Sequence, residues 1–359
     1  AAVPTAKPAT SKDIQGATQT GTPTFEGATV QVNGQDKAIT IKDNSYTLLD
    51  KDGNEVATTP AYAEDGTTKI GTYSIDPATG QVTFTPTDKS YTGKVTPVKV
   101  QAESSNGIKV DTTYTPEIVP VTPTATPAET TDIQGATQTG KPEFKGGTVT
   151  VDGVEKTVEI NEDVPATFDD GSTTKTVDGV GTYTVAADGT VTFVPEKSFT
   201  GKAPAVTVVR EDKNGTKASA TYTPTVNPVT LTPTNKVSED IQNIPQTETP
   251  TFALSDDETA QITSKKLIDP ATGQPTDETT VTVAGEGTYT IDPTTGAVTF
   301  TPEKDFVGTA TGVKIQAIAT ITNEDGKTST ITSDASYTPT VVAAVPTAKP
   351  ATSKDIQGA

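Results

Sequence analysis

Along much of this chain, apolar and polar residues alternate one by one. In "GTYTIDPTTGAVTFTP" (287–302), Tyr289 and Ile291 point one way and Thr288 and Thr290 the other. After the turn, Val298 and Phe300 share a face, with Thr299 and Thr301 opposite. A period of two with one apolar face predicts an antiparallel hairpin that is half in water. The pattern recurs in "GTYSIDPATGQVTFTP" (71–86) and "GTYTVAADGTVTFVP" (181–195), with Tyr73, Ile75, Val82 and Phe84, then Tyr183, Val185, Val191 and Phe193, on the inner face. Gly80, Gly189 and Gly296 stand where the returning strand begins, where a left-handed backbone is needed.

A second hairpin follows each of these. "KSYTG" (89–93), "KSFTG" (197–201) and "KDFVG" (304–308) lead into Val98 and Val100, Val206 and Val208, or Val313 and Ile315. The turn falls at "NG" (106–107 and 214–215) or "DG" (325–326), a strong hairpin signal, and the return strand ends at Tyr114, Tyr222 or Tyr337 before Thr-Pro. In the third unit both arms are four residues longer. Equal, even growth keeps the register and the buried face, as paired strands require and a loop does not.

These hairpins belong to longer repeats. "DIQGATQT" occurs at 13–20 and 132–139, "DIQNIPQT" at 240–247 and "DIQGA" again at 355–359, while residues 1–17 return letter for letter at 343–359. The chain is therefore expected to begin and stop at equivalent points of a periodic array, with about 114 residues per unit. That length suits one independently folded domain. The expected division is a linker at 1–12, repeat 1 at 13–116, a linker at 117–131, repeat 2 at 132–224, a linker at 225–239, repeat 3 at 240–339, and at 340–359 a linker with the start of a next repeat. Spaced prolines in the linkers lock φ and deny backbone donors, so these stretches are read as extended Pro/Thr-rich connectors, parts of which would instead pair as edge strands of the adjoining domain. The fold class expected is all-β: tandem β-sandwich-like repeat domains in an elongated array.

Composition narrows the chemistry. The 359 residues include no Cys, His, Met or Trp, a single arginine (Arg210), and a formal charge of −19. No imidazole base, thiolate nucleophile or disulfide framework is available. The acidic balance disfavours nucleic acid and anionic membranes as partners, and no apolar run is long enough for membrane insertion. No signal peptide is visible at Ala1. Threonine, roughly a fifth of the chain, is β-branched and favours strands.

Three clusters raise sharper chemistry. "DKDGNE" (50–55) offers Asp50, Asp52 and Glu55 to a hard cation, but the glycine sits at the fourth place of an EF-hand-like loop and no distal Glu follows. Lys89, Lys197 and Lys304 align across the units as isopeptide candidates, yet Asn106 and Asn214 occupy turns and Asp325 replaces them in the third. Asp13, Asp132 and Asp240 are the only acids aligned in all three units, one per unit, which suits a turn or cap better than a carboxylate pair. No catalytic, cofactor-binding or metal residue is assigned, no cofactor is expected, and the chain is not read as an enzyme.

The combination "GTYTIDPTTGAVTFTPEKDFVGTATGVKIQA" with "NG", "YTP" and the preamble "VPTAKPATSKDIQGATQTGTPTF" resembles the CshA-type fibril repeat of streptococcal (Gram-positive) cell-surface adhesins, in three tandem copies. The resemblance implies β-rich repeats in series forming a thin surface fibril. It implies an extracellular, cell-wall-anchored setting, with anchoring through a C-terminal region and host or bacterial surface ligands bound through an N-terminal region, neither of which lies in this sequence. It carries the stalk role, with neighbouring repeats of the same chain as partners. The alternative is that the repeats themselves bind a host glycoprotein or other fibrils, which exposed aromatics would favour; the pattern instead turns nearly every Tyr and Phe inward.

Overall fold

A computed structural model describes residues 3–358. Its regular elements there are all β-strands, and no helix is long and apolar enough to cross a membrane. Each repeat packs a four-stranded sheet on a larger one. In repeat 1 the smaller sheet runs 19–21, 82–86, 69–75, 58–62, and the larger runs 9–14, 109–119, 98–103, 47–49, 55–56. Repeats 2 and 3 keep this order, with 191–195 beside 181–185 and 298–302 beside 287–291 at the centre of the smaller sheets.

Both sequence-predicted hairpins form in the expected register. Tyr73 faces Phe84, Tyr183 faces Phe193 and Tyr289 faces Phe300 across the first. In the second, Val98 pairs with Tyr114, Val206 with Tyr222 and Val313 with Tyr337. The longer third hairpin continues this ladder without a slip out to Thr322 and Thr328. Its extra length buries Ala317, Ala319 and Ile321 against Val229, Leu231 and Ala260. A ten-residue strand, 260–269, runs beside it where repeats 1 and 2 carry small separate hairpins at 28–39 and 147–158.

The aromatic side chains form the seam between the sheets. Tyr73 meets Tyr114 edge-on at 6.1 Å between ring centres, and Tyr289 meets Tyr337 likewise at 6.3 Å. Such edge contacts contribute about 0.5–1.5 kcal/mol beyond their area. None of the large apolar side chains that stay exposed among the described residues is aromatic.

Much of the expected linker sequence pairs as strands of the adjoining domains, as the reading of parts of it as edge strands allows. Strands 124–126 and 128–133 take up most of 124–131 and run on past it, and strands 231–234 and 236–241 do the same for 231–239. The stretch 1–12 likewise holds strands 5–7 and 9–14. The strands ending at Val119, Asn227 and Val342 also run past the expected repeat ends at 116, 224 and 339. Apart from the single residues Pro127 and Asn235, only 120–123 and 228–230 stay outside strands between repeats. Prolines mislead here because Pro4, Pro8, Pro120, Pro123, Pro127 and Pro228 stand in the breaks between strands, and those just before the expected linkers stand where a missing N–H is not needed. Pro116, Pro224 and Pro339 lie beyond the antiparallel ladder, in parallel register with Ser11, Thr130 and Ser238. Pro224 and Pro339 still use their carbonyls, accepting from the N–H of Ala203 and Ala310.

Burial sets an alkaline limit on stability. Desolvation raises the phenols of Tyr73, Tyr114, Tyr222 and Tyr337 above the ordinary value and pushes Tyr183 up to about 12. A proton held more tightly in the folded state contributes stability that is fully present below the unfolded value of 10.0 and is lost as pH rises through the folded value. The melting temperature is therefore expected to fall steeply between about pH 10 and 12, in step with ionisation of the buried tyrosines followed by ultraviolet absorbance. Tyrosine ionisation completed with the fold intact would contradict this burial.

Candidate functional site: the junctions between repeats

The "DIQ" motif ends the parallel strand of each repeat and turns the chain through a left-handed residue, Gly16 at φ +82° and Gly135 at φ +84°. This bend carries two glutamines four residues apart, Gln15 with Gln19 and Gln134 with Gln138, and all four are buried. An amide supplies both a donor and an acceptor, so a buried glutamine ties together groups that the strands leave unpaired.

The second glutamine of each pair works inside its own repeat. Ser11 Oγ donates to Gln19 Oε1 at 2.6 Å and lies 2.6 Å from Tyr114 Oη, while Gln19 Nε2 donates to the Glu117 carbonyl at 2.9 Å. Thr130, Gln138, Tyr222 and Thr225 repeat the arrangement, as do Ser238, Gln246, Tyr337 and Thr340. It pins the parallel strand to the tyrosine that fills the core.

The first glutamine sits at the boundary with the next repeat. Gln15 Nε2 donates to the Ser90 carbonyl and to Thr216 Oγ1 of repeat 2, both at 2.9 Å, while Gln15 Oε1 accepts from Val121 N–H at 3.2 Å on the exit path. From repeat 2, Asn214 Nδ2 donates to the Gln15 carbonyl at 2.9 Å and Lys156 Nζ reaches Asp13 Oδ1 at 2.6 Å. The second junction uses the same core: Gln134 Nε2 donates to the Lys197 carbonyl at 2.7 Å and its Oε1 accepts from Val229 N–H at 3.1 Å. Here Thr259 Oγ1 donates to the Gln134 carbonyl at 3.1 Å, and Asn323 exchanges two 2.8 Å hydrogen bonds with Ser198. The long third hairpin therefore reaches back onto repeat 2.

Close approach explains the glycines. A Cβ on Gly16 would lie 2.3 Å from Asn214 Oδ1, and one on Gly135 would lie 2.6 Å from Thr259 Oγ1. Repeat 3 has Asn243 at this place, at φ +67°. Gly135→Ala is expected to cost about 1–2 kcal/mol for the backbone conformation alone, and to loosen the second junction through the Thr259 clash. Asn243→Ala puts the same side chain at the same backbone conformation where a Cβ is already accommodated, so it should show the backbone cost without the clash. Urea unfolding of both variants checks this; equal costs would show that the neighbouring repeat does not matter.

The candidates raised from sequence occupy other roles. Asp50 spends its carboxylate on its own turn, Oδ1 accepting from the N–H of Asp52 and Asn54 at 2.9 and 2.8 Å, and these bonds hold it below the usual carboxylate value. Glu55 pairs with Lys109. Among the described residues, no group of three or more acidic side chains is placed to hold a metal ion. Lys89, Lys197 and Lys304 are exposed, and it is the backbone carbonyls of Lys197 and Lys304 that are engaged, by Gln134 and Gln242. Asn214 is a junction residue, Asn106 bonds Ser104 within its own turn, and Asp325 pairs with Lys327. Asp13, Asp132 and Asp240 each accept the N–H of the following isoleucine at 2.7 Å, so they cap the strand end. The structure brings none of the three acids together with another. The junction glutamines have one signal in the sequence, the recurrence of "DIQ" itself. The acid of that motif caps its own strand, and only Asp13 also meets a partner in the next repeat, Lys156, whereas the amide beside it serves both described junctions.

The family described as the surface adhesin CshA repetitive domain matches residues 1–118, 120–226 and 228–341. The chain belongs to this family, with three tandem copies of its repeat across residues 1–341. No curated protein sequence matches it significantly. Among solved structures it is similar to the I9–I11 tandem of titin, at 10% identity and TM-score 0.31 over 95% of this chain and 100% of that one. It is also similar to mouse cadherin-23 EC22–24, at 14% identity and TM-score 0.31 over 96% and 100%.

Proposed function

We propose that this array is the stalk of a cell-wall-anchored bacterial adhesin, a non-enzymatic spacer that projects a distal binding domain from the cell surface. Membership in a family of surface adhesin repeats supports the extracellular setting. The observation that carries the stalk reading is the junction itself. Successive repeats are joined by stretches of three or four residues and by a buried glutamine bonded on both sides, so bending a joint breaks hydrogen bonds. Quasi-linear arrays of this kind hold their length through nearest-neighbour contacts. The charge of −19 discourages clumping, over a Debye length of about 8 Å in physiological salt.

Three domains of roughly 3–4 nm predict a particle roughly 10–12 nm long. Small-angle scattering is expected to show this elongated form, and surface plasmon resonance against host matrix proteins to show no saturable binding. A compact globule would remove the stalk reading. Nanomolar binding would make the repeats themselves the adhesive module.

A further inference from the structure

We propose that Asn214 is a site of spontaneous modification, whose conversion to aspartate or isoaspartate unlocks the first junction while the second stays closed. Three asparagines in this chain stand directly before glycine: Asn33, Asn106 and Asn214. Glycine has no side chain to shield its peptide nitrogen, so that nitrogen can reach the asparagine amide carbon. A bond forms from the Gly215 nitrogen to Asn214 Cγ, the Cγ–Nδ2 bond breaks, and ammonia leaves with the proton of the Gly215 nitrogen. Water then opens the resulting succinimide at either carbonyl. The product is aspartate or, with one more methylene in the backbone, isoaspartate. Water is the only other reactant.

Of these three, Asn214 is the one that spans two repeats. Its Nδ2 donates to the Gln15 carbonyl at 2.9 Å, and Thr216 beside it accepts from Gln15 Nε2. Asn33 lies in the exposed turn between strands 28–32 and 35–39, and Asn106 accepts the Ser104 hydroxyl within its own turn. A carboxylate has no proton to donate, so conversion at Asn214 sets an anionic oxygen against the Gln15 carbonyl, both of them acceptors. It also adds a charge to a turn that already holds the buried Asp212. Isoaspartate further lengthens the turn that Gly215 N–H closes onto the Asp212 carbonyl.

The second junction avoids this chemistry. In repeat 3 the place of Asn214 is taken by Asp325, and the amide that crosses the boundary is Asn323, at the place of Asp212. Matching turn bonds fix the correspondence: Asp212 N–H donates to the Thr216 carbonyl and Asn323 N–H to the Lys327 carbonyl. Asn323 precedes Glu324, whose side chain shields the nitrogen that would attack. One array thus contains a labile joint and a durable one.

The backbone bond is the same in two of the turns, with Gly107 and Gly215 N–H each donating at 2.9 Å to the carbonyl three residues back. Attack at Asn214 additionally requires its amide to leave Gln15, and one ordinary hydrogen bond slows such a step by about two- to tenfold. Incubating the intact chain in mildly alkaline buffer, with peptide mapping by mass spectrometry, is therefore expected to show Asn106 converting first, Asn214 following by that factor, and Asn323 unchanged. Asn214→Asp supplies the product directly, in a turn that accepts aspartate at the same place in repeat 3. It should expose the Val121 N–H, which Gln15 Oε1 holds, to rapid amide exchange and broaden the length distribution in scattering. Asn106→Asp should do neither. Val121 protection unchanged in Asn214→Asp would overturn the proposal, whatever the array does as a stalk. Asn214 converting as fast as Asn106, or remaining intact long after Asn106 is consumed, would overturn it as well.

Discussion

Replacing Tyr222 by alanine is expected to unfold repeat 2 under conditions where its neighbours remain folded. The side chain is fully buried between the sheets, opposite Val206 and within the cluster of Tyr183, Phe193 and Val208. A Cβ on Gly140 would lie 2.1 Å from its ring, so the neighbouring strand is already shaped to the aromatic and has little to offer the void. Large aromatic-to-alanine changes of this kind cost about 3–5 kcal/mol, a large part of the roughly 5–15 kcal/mol margin of a typical domain. The hydroxyl is lost too. Because Thr130 Oγ1 donates to Gln138 Oε1, Tyr222 must be the donor to Thr130, so its removal leaves an acceptor short and no buried N–H exposed. Tyr222→Phe should accordingly cost only about 1 kcal/mol. Urea titration followed by tyrosine signals and by amide exchange in each repeat separates these outcomes. A Tyr222→Ala loss no larger than that of Tyr222→Phe would mean that the ring is not part of a packed core.

Gln15→Ala is expected to free the first junction while leaving both flanking cores intact. Three bonds disappear, to Ser90, Thr216 and Val121, and Val121 N–H is left without its partner in a buried position. An unsatisfied buried group costs about 1–3 kcal/mol, so a coupling loss of about 2–3 kcal/mol between repeats 1 and 2 is expected. Gln242→Ala is the internal control. Its described side-chain bond is a single one, to the Lys304 carbonyl at 3.2 Å, so under about 1 kcal/mol is expected. Scattering should show a broadened distribution of lengths for the first variant and none for the second. Equal behaviour of the two would show that the glutamine supports its own repeat and not the joint.

Much of each repeat is legible in the order of its residues. Tyr73, Tyr183 and Tyr289 face Phe84, Phe193 and Phe300 as the alternation requires, because side-chain direction in a strand follows from position alone. The third hairpin keeps its register because its arms grow together. The junctions are less legible. Asn323 and Thr259 act on repeat 2 from repeat 3, across 125 residues in each case, and nothing in their local sequence announces it. Prolines also mislead at 117–131 and 225–239, since Pro120, Pro123, Pro127 and Pro228 stand in the breaks between strands and leave the neighbouring residues free to pair.

Alternation and turn chemistry are local, so the sequence by itself determined the hairpins, their registers and the face each one buries. The segment "AAVPTAKPATSKDIQGA" shows what the tertiary structure decided. Near the start of the chain it holds two strands, and near the end the same letters hold none. Its parallel partner, Tyr114–Val119, lies about a hundred residues further along the chain in repeat 1, and 343–358 pairs with no strand among the described residues. A lone extended segment cannot satisfy its own backbone groups, so only a folded repeat around it makes this sequence a strand.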